Sequence, residues 1–302
     1  MRDPSEIVRL YANLDSDAPV LIEALDGFVE AGHAVRLSRE HLLSTFESEV
    51  VASFEVDELL DHRARRPLLV FDTDHWDGYE QPVLAVHLLR DANGTPFLLL
   101  AGPEPDIQWE RFVAAARLVV EHLNVRLTIG LHGVPWGVPH TRPIGITAHG
   151  RPRELLTTPP LAIGRVLVPA SVGHLLEYRL AEQGLDAIGF AAHVPHYLSL
   201  LEYPPAAEAL LAAVERTAGL SLSLASLRAA AVEVQTTVDA QIAQDEQARS
   251  VIRELEDNYD ASLADGGGVQ AEELPTSEEL GAAFQRFLAE RSRRTDSDDH
   301  SP

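Results

Sequence analysis

Between Pro19 and Ala192 short apolar runs rich in Val, Ile and Leu alternate with stretches whose apolar residues recur every three to four positions. Buried strands and the helices that cover them produce that alternation. The runs predict nine strands, at about residues 19–25, 49–54, 67–72, 82–89, 96–102, 125–131, 144–148, 165–169 and 185–191. Helices are expected over about 29–43, 106–123 and 172–183, each after a strand, as crossover connections require. Asn93-Gly94, between the fourth and fifth runs, favours the positive φ of a tight turn, so that pair is predicted antiparallel. The expected fold class is α/β, with a mixed sheet in one large domain over residues 1–200.

After Pro204-Pro205 the pattern becomes Ala-rich and helical, first over about 206–218 and then from about 222 to 262, within a helical region spanning 201–264. Leu227, Ala231, Val234, Val238, Gln241, Asp245, Ala248, Ile252, Leu255 and Tyr259 fall at alternating four- and three-residue steps, a heptad-like seam with polar members. The other arrangement packs this helix on its own domain, with Ile242 and Val251 facing inward. Residues 265–302 read as a flexible linker, a short helix near 277–290 and a disordered acidic tail.

Charge narrows the function. All 24 basic residues are Arg, against 47 acids, for a formal charge of −23. Such a field repels phosphate, so neither nucleic acid nor an anionic membrane is an expected partner. The lack of Lys removes phosphate-clamping and Schiff-base lysines, and the lack of Cys removes disulfides and thiolate zinc sites. No run reaches about eighteen apolar residues and the start has no signal-peptide core, so a cytoplasmic location is expected.

Three segments carry candidate chemistry. LIEALDGFVEAG, residues 21–32, sets Asp26, Gly27 and Glu30 at the carboxyl end of a strand, where open α/β sheets build crevices. The same carboxylates also suit a helix cap and its dipole. GPEPDIQW, residues 102–109, puts Glu104 and Asp106 at a second strand end, fitted for acid–base work or for starting a helix. HGVPWGVPHTRP, residues 132–143, is a stiff loop whose His140 and Arg142 suit a titrating contact and a bound carboxylate or phosphate, or an internal ion pair.

Other motifs fall short. FDTDHWDG, counted from Asp72, lacks the Gly and the Glu that a calcium loop needs at positions six and twelve. His193 and His196 are followed by no further metal ligand that the spacing identifies, and Pro195 breaks the helix between them. Ser171 lies between a strand and a helix, but Pro169 stands where a nucleophile elbow wants Gly, so a helix cap is the plain reading. No metal and no cofactor is expected.

In combination, LIEALDGFVEAG, FEVDELLDHRARRP at 54–67, FLLLAGPEPDIQWERF at 97–112, GVPWGVPHTRP and LSLLEYPPAAEALL at 198–211 resemble the bacterial form of the proteasome assembly chaperone 2 family, over about residues 17–262. Where that family shows Trp and Asp in GWxDAG, this chain has Phe28 and Glu30. The resemblance implies a three-layer α/β core like that of phosphorylase and hydrolase-type domains, an appended helical region, and self-association, with trimers as one arrangement. It also implies action by binding, as in the chaperones that order proteasome α subunits, rather than by catalysis.

The leading expectation is therefore a non-enzymatic, homo-oligomeric assembly factor whose partners are copies of itself and proteasome subunits or another protein. The competing expectation is an enzyme or binder of a small anionic or nucleoside-like ligand, with Asp26, Gly27, Glu30, Glu104, Asp106, His140 and Arg142 converging at the strand ends.

Overall fold

The run from Val20 to Asp26 is apolar on both faces because both faces are covered. Val20, Ile22 and Ala24 enter one buried cluster, and Leu21 and Leu25 enter another on the opposite side. This strand, β2, follows a short β1 (Val8–Leu10) and precedes α1 (Ala34–Thr45) and β3 (Ser48–Phe54). The hairpin β4 (Leu69–Asp72) and β5 (His75–Tyr79) comes next, then β6 (Ala85–Arg90), β7 (Pro96–Pro103) and α2 (Trp109–His122). The chain continues through β8 (Leu127–Trp136), β9 (Ile146–Arg151), α3 (Val172–Glu182) and β10 (Ala187–Pro195), and closes with α4 (Pro204–Ala218), α5 (Ala225–Ile242) and α6 (Glu246–Ala264). The computed structural model describes residues 2–11, 19–27, 30–156, 165 and 167–264.

Eight strands form one mixed sheet in the order β1-β3-β6-β7-β2-β8-β10-β9. Its centre, β7-β2-β8-β10, is parallel, and the strands outside it pair antiparallel. The β6–β7 pair has the orientation that Asn93-Gly94 foretells, with Gly94 at φ 84°. Helices α1 and α4 cover one face and α2 and α3 the other, which makes the three layers. Alternation along β8 follows suit: Leu127, Ile129 and Leu131 join the α1/α4 core, leaving Thr128, Gly130 and His132 on the α2/α3 side.

Three expectations meet a different outcome. The run at 67–72 is no core strand: β4 pairs with β5 alone, and every residue of both strands is exposed. At 165–169, Leu167 and Val168 are exposed and outside any strand, because β9 already occupies the edge beside β10; residue 166 lies outside the described residues. The single helix expected from 222 to 262 is two helices, since Asp245 accepts hydrogen bonds from the N–H groups of Gln247 (2.8 Å) and Ala248 (3.2 Å) and starts α6 anew. Its seam packs inward instead: Leu227 and Val238 are buried in the α1/α4 core with Ile242 against it, while Val251 is exposed. The linker, short helix and tail expected over 265–302 lie outside the described residues.

Candidate functional site

Glu23 on β2, Gly130 on β8, Gly189 on β10 and His149 on β9 are register partners in one row across the sheet. The two central glycines leave a trough on the α2/α3 face, and glycine inside a strand marks a place where another group comes close. Here the groups are side chains. A Cβ on Gly130 would lie 3.3 Å from both Glu23 Oε2 and His132 Nε2, and one on Gly189 would lie 2.7 Å from His149 Nε2 and 2.8 Å from Glu177 Oε2. From above, Gly173 at the start of α3 would bring a Cβ to 2.6 Å from Glu23 Oε2, and the same helix sends His174 and Glu177 into the trough from one face.

Helix α3 starts at this point because its first amides are met by side chains. The Ser171 hydroxyl accepts from the His174 N–H at 3.1 Å and lies 2.8 Å from His174 Nδ1, while the Glu104 carboxylate accepts from the Val172 N–H at 2.6 Å.

Nitrogens of His132, His149 and His174 lie within 4.8 Å of one another. The His132 and His174 rings stack at 4.1 Å, and His149 Nδ1 sits 3.0–3.1 Å from the Glu177 carboxylate. His132 Nε2 and Glu23 Oε2 are buried without a hydrogen-bond partner. The trough opens at the strand ends into a cavity of about 50 Å³ lined by Glu23, Gly27, Glu104, His132, Ser171 and His174, room for more than one water molecule.

Burial dominates the electrostatics. It pushes the Glu23 carboxyl up to about 7, against the Leu25 N–H that favours its charged form. It holds His132 well below the ordinary histidine value, helped by His174 and then His149, and lowers His174 likewise. Glu104 is raised by burial as well, with the Val172 N–H opposing. Imidazoles and carboxyl groups line the cavity and, among the described residues, no Arg does, so it suits a cation rather than an anion.

The residues singled out at the strand ends divide into two groups. Gly27 and Glu104 line this cavity. Beside it, Asp26 is paired with Arg39 at 2.6 Å, Glu30 accepts from the Arg36 N–H at 2.5 Å, and Asp106 accepts from the Asp61 N–H at 2.8 Å and pairs with Arg65 at 3.1 Å. His140 and Arg142 belong to another place, the joint with α5 and α6. The Tyr197 hydroxyl accepts from the His140 N–H (2.8 Å) and meets Nδ1 (2.7 Å), leaving Nε2 for Asp239 (3.0 Å). Arg142 grips Asp260 with two nitrogens, at 2.9 and 2.7 Å, and Glu256 at 3.1 Å.

Because α6 has few other anchors, Arg142→Ala is expected to speed amide exchange along Glu246–Ala264 while leaving global stability nearly unchanged. Hydrogen-exchange mass spectrometry reads both, and unchanged exchange in that helix would refute the clamp.

Glu23, His132, His149, His174 and Glu177 escape sequence reasoning because they come from four different elements. The only local signals are one carboxylate inside an apolar run and a His-x-x-Glu spacing on one helix face.

A family model described as the PAC2 family matches residues 24–242. The chain belongs to the PAC2 family. The matched span holds all three trough histidines and Glu177, and begins one residue after Glu23. Among solved structures, this PAC2 chain is similar to a Mycobacterium tuberculosis protein of unknown function, at 49% identity and TM-score 0.80, over 86% of this chain and 90% of that one. It is also similar to a protein of unknown function from Corynebacterium glutamicum, at 36% identity and TM-score 0.81, over 86% and 99%. A proteasome-assembly chaperone homologue from Mycobacterium tuberculosis shares the fold at 24% identity and TM-score 0.71, over 77% and 99%. Comparison with the curated proteins gives no match. Among the described residues, no helix of this PAC2 chain is long and apolar enough to cross a membrane.

Proposed function

We propose that this PAC2 chain works in the cytoplasm by binding other protein chains, as a non-enzymatic, assembly-chaperone-like factor that first associates with itself through the β4–β5 hairpin. The hairpin carries the reading. Leu69, Val70, Phe71, Trp76 and Tyr79 are each at least half exposed there, and both of its faces are open. A lone two-stranded ribbon is marginal in water, and an apolar patch of this kind is what a protein partner covers. A second copy of the chain is the occupant, brought hairpin to hairpin by these apolar side chains, whose burial has to offset the long-range repulsion between two heavily acidic chains. A trimer is the expected assembly. Proteasome subunits are the expected clients, by likeness to the fold of the assembly-chaperone homologue.

Light scattering of the purified chain tests the first half. The wild type is expected to elute as an oligomer, and Phe71→Ser with Trp76→Ser as a monomer whose melting temperature in the dissociated state is unchanged. A wild type that is monomeric at tens of micromolar, about the range a transient contact needs, removes the self-association. Titration of the labelled chain with purified proteasome subunits, read by anisotropy, tests the second half, and no saturable binding to any of them refutes the client assignment.

A further inference from the structure

The α2/α3 face of a sheet between two helices is ordinarily filled with aliphatic side chains, as it is here around Phe112, Val119 and Leu176. At the Glu23–Gly130–Gly189–His149 row it is filled with imidazoles and carboxyls instead. Three glycines are placed so that these groups fit: a side chain on Gly130, Gly173 or Gly189 would collide with or crowd Glu23, His132, His149 or Glu177. Burying so many polar groups is costly unless something binds them, and three of their atoms, His132 Nε2, Glu23 Oε2 and Glu177 Oε2, have no hydrogen-bond partner.

We infer that His132, His149 and His174 form a site for one divalent transition-metal ion of the zinc class, with its fourth position open to the cavity beside Glu23.

The donor set fits such an ion. Three neutral-nitrogen ligands suit zinc, cobalt and nickel, whereas magnesium and calcium prefer oxygen. Nδ1 of His149 is taken by Glu177 and Nδ1 of His174 by Ser171, which leaves Nε2 of each for the ion. A carboxylate behind a ligating imidazole fixes its tautomer and raises its donor strength, the role Glu177 has toward His149. Zinc–nitrogen bonds of about 2.0–2.1 Å place tetrahedral ligands about 3.4 Å apart. The nitrogens here, within 4.8 Å of one another, reach that spacing when the His132 and His174 rings turn out of their stack. Three protein ligands plus an open position is the coordination that leaves room for a water or another small donor, and the cavity supplies the space. The ion would join β8, β9 and α3 independently of any contact made by the β4–β5 hairpin.

Isothermal titration of the untagged full chain, treated with a chelator and dialysed, tests this directly. Zinc is expected to bind saturably at one ion per chain and to raise the melting temperature. Cobalt is expected to give the visible absorption of a tetrahedral site, and magnesium and calcium to give no heat. His149→Ala and His174→Ala should each weaken zinc binding by more than about 100-fold, and Glu177→Ala, which removes only the supporting carboxylate, by about 10- to 100-fold. His122→Ala, an exposed histidine at the end of α2, should bind as the wild type does. No saturable zinc binding by the folded wild type overturns the site, whatever the variants do. So does affinity kept within about threefold in His149→Ala and His174→Ala when both retain the wild-type circular dichroism.

Discussion

Gly102→Ala is expected to cost on the order of 4 kcal/mol, an effect out of proportion to the addition of one methyl group. Gly102 sits near the end of β7 at φ 133°, a conformation that L side chains rarely adopt, and holding one there costs about 1–3 kcal/mol. The added carbon also has nowhere to go. It would run into the Val83 carbonyl and stand 2.8 Å from the Leu84 Cα, on the segment that leads into β6. Backbone cannot swing aside as a side-chain tip can, so relief requires the Val83–Leu84 segment to move off β7, at about 1–3 kcal/mol more. Gly27→Ala is the matched control: among the described residues, its chain neighbours aside, no heavy atom lies within 4 Å of its would-be Cβ, and its φ is not positive. Urea unfolding of the two variants at neutral pH is expected to show Gly102→Ala far below the wild type and Gly27→Ala within about 0.5 kcal/mol of it. Equal losses at both positions would refute the steric account.

The parallel centre of the sheet is legible because β2, β7, β8 and β10 are buried on both faces and read as continuous apolar runs. The same rule misplaces 67–72. A run of Leu, Val and Phe signals cover on both sides, but does not say whether the cover belongs to the same chain; in the described residues β4 pairs with β5 alone, and its apolar side chains are exposed. The break between α5 and α6 was visible only as polar members of a heptad-like seam, Gln241 and Asp245. Heptad spacing alone cannot distinguish a residue that fixes register from one that caps a new helix, and Asp245 does the second. At the candidate site the difficulty is of another kind. Strand-end carboxylates are conspicuous in a sequence, yet Asp26, Glu30 and Asp106 are taken up by Arg39, the Arg36 amide and the Asp61 amide. The unsatisfied groups lie deeper, one row into the sheet, where Gly130 and Gly189 matter for side chains they lack. Cross-strand register brings His149 and Glu23 into that row, and register is a property of the assembled sheet rather than of any segment in it.

His193 shows how burial alone sets an acid response. Its Nε2 lies 2.7 Å from the Thr147 hydroxyl, its ring stacks on Trp136 at 4.5 Å, and Gly145 lies against Nδ1 so closely that a Cβ there would stand 2.7 Å away. Among the described residues no acidic group is hydrogen-bonded to the ring, and burial lowers its pKa from 6.5 to about 4. The unfolded chain therefore binds a proton between pH 6.5 and 4 that the folded chain refuses. Stability rises with pH across that window, is fully present above it and is lost on acidification. Each pH unit of the gap is worth about 1.4 kcal/mol, so the loss attributable to this ring between pH 7 and pH 4 is about 3 kcal/mol. Gln in its place carries no titrating group and still reaches a hydroxyl. His193→Gln is therefore expected to lose about 3 kcal/mol less than the wild type when urea unfolding is repeated at pH 7 and pH 4. Carboxylates elsewhere that lose their partners in acid act alike in both proteins and cancel in the difference. If the two chains lose the same stability over that interval, His193 is protonated in the folded state, and the Trp136–Thr147 pocket admits the charge.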